Sequence, residues 1–188
     1  HLALLKNPSD WDYLLYLETT QSGQLINQLI PTNSEVFLNF KIQLLKAASS
    51  KKALFIDVQN DDTLPLVELL HHASLRQHLH VIHLENTASS TDAGVTLFGI
   101  NQLFAANDKQ RVGLLEQLNG SGTVFIKNIH LLAQELQEKL AYFLRYDLYT
   151  KLKSKRVENA NVRIICSSNH NLEILVQEGT FSKALFNE

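Results

Sequence analysis

The chain has 188 residues, is 45% hydrophobic and carries a formal charge of −2, which allows one full core and leaves no basic footprint for nucleic acid. Its single cysteine, Cys166, lies in an apolar run and excludes an internal disulfide framework, as expected in a reducing cytoplasm. No apolar run approaches the roughly 18 residues of a membrane span, and no signal peptide is recognisable, so no membrane partner is expected.

Residues 1–32 contain Trp11, Tyr13 and Tyr16, then Ser22-Gly23 and Pro31-Thr32. They read as a lead-in segment or the end of a preceding domain, and the start at His1 reads as the excised middle of a longer protein. From residue 33 to 188 short apolar runs alternate with amphipathic stretches, the pattern of an α/β domain with a mostly parallel sheet. In chain order the pattern gives a helix at Glu35 to Ala48, a strand at Ala53 to Val58 and a helix at Leu64 to Leu75. Asn60-Asp61-Asp62-Thr63 before that helix has the chemistry of a turn and an N-cap. Strands follow at Leu79 to Leu84 and Thr123 to Ile126, then a helix at Gln134 to Tyr146, a strand at Val162 to Ser167 and a helix at Leu172 to Glu178 stopped by Gly179. The four strands are almost wholly apolar, which implies helices on both faces of the sheet.

The residues themselves offer little catalytic chemistry. His71, His72, His78, His80 and His83 crowd one region. His80 and His83, three apart on a strand, point to opposite faces, and no zinc or other metal site is expected. No GxSxG element supports a Ser-His-Asp system, and Ser121-Gly122 reads as the turn entering a strand. The charged run Lys151 to Arg156 reads as a solvated loop.

Ser121-Gly122-Thr123-Val124-Phe125-Ile126-Lys127-Asn128-Ile129 resembles the GGTLFLDEI strand of the AAA+ domain in NtrC-type, sigma-54-dependent transcription activators. Leu97-Phe98-Gly99 resembles ELFG, Arg111-Val112-Gly113-Leu114-Leu115-Glu116-Gln117 resembles RxGxFExA, and Leu136-Gln137-Glu138-Lys139-Leu140 resembles LQxKLLRxLQ. Val162 through Ser168-Asn169-His170-Asn171-Leu172-Glu173 is similar to VRVIAATNRDLE, and His71, Ser74 and Arg76 fall on HxxSxR. The resemblance implies a three-layer P-loop sheet truncated before the lid, and it places Lys151 to Arg156 on a hairpin between a helix and a strand.

What the resemblance implies about the working residues is a consistent loss. The phosphate loop falls on Val58 to Pro65, where Asn60, Asp61, Asp62 and Thr63 supply neither glycine nor lysine to hold phosphates. The two acidic residues that hold magnesium and activate water correspond to Lys127 and Asn128. The sensor position keeps an amide in Asn169, while the arginine-finger positions hold Ser182 and Glu188. The GAFTGA loop that touches sigma-54 falls on Ile100 to Asp108, where only Phe104 resembles it in chemistry, so direct remodelling of sigma-54 polymerase is not expected. The expected function is a non-catalytic scaffold between the sensory and DNA-binding parts of a bacterial transcription regulator, one that binds no cofactor, can self-associate, and reaches DNA through a C-terminal segment beyond this sequence. The alternative is a former ATP cleft that senses a small molecule such as a cyclic dinucleotide. A dinucleotide wants arginine forks, and Arg76, Arg111, Arg145, Arg156 and Arg163 are scattered. With the cleft closed by charge pairing, Lys127 is expected to meet Asp61 or Asp62.

Overall fold

A computed structural model describes residues 9–32, 34–58, 63–86, 89–106 and 112–188. Helix α1 (Asp10–Thr19) starts at a capping box, with Ser9 Oγ accepting from Asp12 N at 3.3 Å and Ser9 N donating to Asp12 Oδ2 at 2.7 Å. Helix α2 (Gln21–Leu29) is capped by Thr20, whose Oγ1 accepts from Gly23 N at 3.1 Å. Gly23, which has the look of a turn residue, lies inside α2. A Cβ there would run into the backbone of Tyr16 and Leu17, so the glycine is needed for close approach of α1 and not for a bend.

Helix α3 (Glu35–Ser49) buries Ile42, Leu44, Leu45 and Ala48, and helix α4 (Leu64–Ala73) buries Val67, Leu70 and Ala73. Helices α1 to α4 form one compact unit. Lys41 is 1% exposed within it and donates to Asn27 Oδ1 at 2.9 Å, so its charge is not left to hydrocarbon.

The second unit contains the sheet. Strands β1 (Leu54–Asp57), β2 (His78–His83), β3 (Gly122–Lys127) and β6 (Arg163–Ser168) pair in the order β1-β6-β3-β2, all parallel. The four strands read from the sequence are thus present, each with bounds shifted by about one residue. Register places Asp57 beside Ser168, Lys127 beside Ser167 and His83 beside Lys127. Helix α5 (Ser89–Phe98), a short 3₁₀ turn (Gln102–Phe104) and helix α6 (Leu114–Gln117) connect β2 to β3. Helix α7 (Gln134–Tyr146) matches its expected span and joins Leu136, Leu140 and Phe143 to the core of Val124, Ile126, Ile164 and Cys166. Strands β4 (Leu148–Thr150) and β5 (Val157–Asn159) form an antiparallel hairpin around Lys151–Arg156, as the resemblance implied. Helices α8 (Leu172–Gln177) and α9 (Lys183–Phe186) close the unit and place Leu172 and Leu185 in the same core.

Candidate functional site

In parallel α/β sheets the crevice outside the carboxyl ends of the strands is where ligands bind, so the candidate site is the rim where β1, β6, β3 and β2 end. Val58 N donates to Ser168 O at 3.2 Å and Leu84 N donates to Lys127 O at 3.2 Å, which carries the parallel ladder to its last residues. Lys127 is half-buried at the end of β3. Asn128 follows with φ 60° and ψ 47°, a left-handed conformation that asparagine tolerates better than most residues. Its Nδ2 donates to Leu84 O at 2.9 Å and lies 3.4 Å from His83 Nε2. The amide is therefore committed to the end of β2.

Next to it is a cluster the sequence did not advertise. Ser168, 1% exposed, accepts from His170 N and donates to His170 O, both at 2.9 Å. With the hydroxyl proton committed to that carbonyl, His130 Nδ1, also 2.9 Å away, is the donor to Ser168 Oγ. The His130 and His170 rings pack at a 37° tilt with centroids 4.3 Å apart, and His170 Nδ1 is 2.8 Å from Asn169 Oδ1. Burial holds the His130 pKa below its ordinary value, and neighbouring His170 lowers it further. The two histidines are far apart in the chain. Only the adjacency of β3 and β6 brings them together, whereas histidine spacing along the sequence points to residues 71–83 instead.

Asn60, Asp61 and Asp62 lie outside the described residues, and so does the expected pairing of Lys127 with either carboxylate. Thr63 is 5% exposed, and its Oγ1 has no hydrogen-bond partner among the described residues. Asn169 is exposed at the rim with its side chain turned to His170. Ser182 and Glu188 flank α9. Ser182 is 2% exposed and caps α9, its N donating to Gln137 Oε1 at 2.7 Å and its Oγ to Glu138 Oε1 at 2.5 Å. Glu188 pairs with Arg145 at 2.5 Å. Both are tied to α7. Cys166 is enclosed, and burial pushes its thiol up to about 12, so it is inert at neutral pH. Among the described residues no group of three or more His, Cys, Asp or Glu could hold a metal ion, and no helix is long and apolar enough to cross a membrane.

The family model of the sigma-54 interaction domain matches residues 63–188. The chain belongs to the sigma-54 interaction domain family. It is 29% identical over 185 residues to the luminescence regulatory protein LuxO of Vibrio campbellii, covering 96% of this chain and 37% of LuxO. It is 32% identical over 123 residues to the transcriptional regulatory protein TyrR of Haemophilus influenzae, covering 64% of this chain and 37% of TyrR. In both pairings the chain spans well under half the relative. The fold is shared with NtrX of Brucella abortus in complex with ADP, with a TM-score of 0.65 at 18% identity over 97% of this chain and 41% of NtrX. It is also shared with the P-loop NTPase domain of a sigma-54 transport activator from Escherichia coli, with a TM-score of 0.52 at 14% identity over 83% of this chain and 90% of that one. The parallel P-loop AAA+ architecture implied by the strand motifs is therefore the fold of this NtrC-type domain.

Proposed function

We propose that this sigma-54 interaction domain is a non-catalytic AAA+ core, a scaffold in the cytoplasm between a sensory part and a DNA-binding part of a bacterial transcription regulator. The observation that carries the reading is the end of β3. Phosphoryl transfer needs a carboxylate there to hold magnesium and another to orient water. Lys127 brings a positive charge instead, and the Asn128 amide is already bonded to Leu84 O. The residues at the two arginine-finger positions support the same reading, because Ser182 and Glu188 are used as structural ties to α7. DNA contact belongs to a segment outside this chain, no cofactor is required, and the chain at Ile100 to Asp108 does not have the composition of a sigma-54-contacting loop.

Cyclic dinucleotide sensing is less favoured. Arg163 is 2% exposed and Arg145 is held by Glu188, so neither offers a fork at the rim. Titration calorimetry with ATP and magnesium tests the main reading. We expect no heat of binding and no phosphate release. Dissociation in the low micromolar range, or turnover above background, overturns it.

A further inference from the structure

The turn of residues 118–121, which leads from α6 into β3, contains the chain's only asparagine followed by glycine, Asn119-Gly120. Both residues are exposed, and a Cβ at Gly120 would meet no atom within 4 Å, so water reaches this peptide unit. Gly120 has φ 95°, a backbone that glycine alone adopts without strain. Backbone shape thus calls for glycine here, and glycine leaves the Asn119 side chain without the shielding that a following side chain would give.

Asn161, from the turn between β5 and β6, holds both ends of the dipeptide. Asn161 N donates to Asn119 Oδ1 at 2.7 Å, and Gly120 N donates to Asn161 O at 3.0 Å. The first bond draws electron density from Asn119 Cγ and would stabilise negative charge building on Oδ1 if that carbon were attacked. The second occupies the Gly120 nitrogen, which is released when this exposed turn opens locally. The turn also joins neighbouring strands. Gln77 N, just before β2, donates to Ser121 O at 3.0 Å, and Gly122 N, at the start of β3, donates to Leu118 O at 2.8 Å.

We propose that Asn119 is a site of spontaneous isoaspartate formation, with water as the co-reactant and the turn before β3 as the structure it breaks. The Gly120 amide nitrogen attacks Asn119 Cγ and forms the N–Cγ bond of a succinimide, while the Cγ–Nδ2 bond breaks and Nδ2 leaves with the amide proton as ammonia. Water then opens the ring at either carbonyl. Attack at Cγ returns the normal backbone with an aspartate, and attack at the main-chain carbonyl leaves the chain running through Cγ as isoaspartate. Nothing is oxidised or reduced. Aspartate keeps an oxygen for the Asn161 N–H, whereas isoaspartate adds a methylene to the backbone and cannot hold the Asn161 and Gln77 bonds in register together. The site lies at the amino end of β3, away from the rim, and the inference does not depend on the loss of ATP chemistry.

Ageing the intact protein in mildly alkaline buffer provides the test, read by peptide mass mapping and by enzymatic methylation of isoaspartyl carboxylates. Asn119 is expected to convert about tenfold or more faster than the exposed Asn159 and Asn169, which precede alanine and histidine, a barrier difference of about 1.4 kcal/mol. Hydrogen exchange at the Gln77 and Gly120 amides should rise by about tenfold in the isoaspartyl fraction, as expected for a turn that has lost its ties. It should stay near the parent's in Asn119→Asp, whose backbone has the normal length. Asn119→Gln, whose longer side chain does not form this ring, should accumulate neither product at 119 and serves as the unmodified reference. A native rate at Asn119 no higher than at Asn159 and Asn169 overturns the proposal. So does conversion seen only in denaturant, since the Asn161 bonds would then be a lock, and so does equal exchange in the isoaspartyl fraction and the parent.

Discussion

The interior of the sheet and its carboxyl rim have followed different rules. Val124, Phe125 and Ile126 on β3 and Ile164 and Ile165 on β6 are at most 1% exposed, and they form the kind of close-packed apolar strand that any nucleotide-binding relative would need. Past the carboxyl ends of these strands, Lys127, Asn128, Asn169 and His170 are half-buried or exposed, and the Asn128 and Asn169 amides are turned toward neighbouring protein atoms. Packing is enforced by many contacts of one chemical kind, so it tolerates drift among apolar residues. Catalysis is enforced by a few groups of one identity each. A domain can therefore lose the second without loosening the first.

The sharpest test of the interior is Phe143→Ala. Phe143 is 1% exposed and meets Tyr149 edge-on at 6.3 Å, so truncation should cost about 3–5 kcal/mol in chemical denaturation. A loss under about 1 kcal/mol would mean that the interior is no more constrained than the rim. Gln137→Leu comes next. Gln137 is 1% exposed, donates to Leu132 O at 2.6 Å and accepts from Ser182 N, so replacing it orphans two groups at about 1–3 kcal/mol each.

At the rim, Asn128→Ala should cost about 1–2 kcal/mol through the lost bond to Leu84 O and the left-handed backbone. Asn128→Gly should recover the backbone share of that cost and not the bond. Equal losses for the two variants would remove the conformational argument. The smallest effect expected is on pH dependence. Folded His130 binds protons more weakly than the unfolded chain does, so stability should be complete above its ordinary value of 6.5 and decline as pH falls below it. Denaturation midpoints at about pH 7 and about pH 5 measure this difference, and it should shrink in His130→Gln. A decline equal to the parent's in that variant would assign it to other groups.

How much of the molecule is legible in its sequence depends on periodicity. The four sheet strands are legible because each is a short, unbroken apolar run, and α7 because its apolar residues recur at helical spacing. Helix α1 is not, since Trp11 and Tyr13 through Leu17 form a nearly continuous apolar run with no stripe. Its signal is the Ser9-x-x-Asp12 capping box. Helix α2 is hidden by Gly23, and α5 by the loop-like composition Ser-Ser-Thr-Asp-Ala-Gly, where Gly94 makes room for the Leu136 side chain. At the rim the place of Lys127 and Asn128 at the end of a strand is legible from the motif resemblance alone. The His130, Ser168 and His170 cluster is not, because it exists only where β3 and β6 end side by side.

The left-handed backbone at Asn128 limits which side chains the position accepts. Asparagine suits a left-handed backbone, whereas glutamate, with a longer side chain that cannot bond its own neighbourhood as readily, is strained there. Asn128→Glu would therefore meet that strain and lose the tie to Leu84 at once. The position is held by backbone shape and by one hydrogen bond, so its identity answers to the end of β2 as much as to any chemistry at the rim.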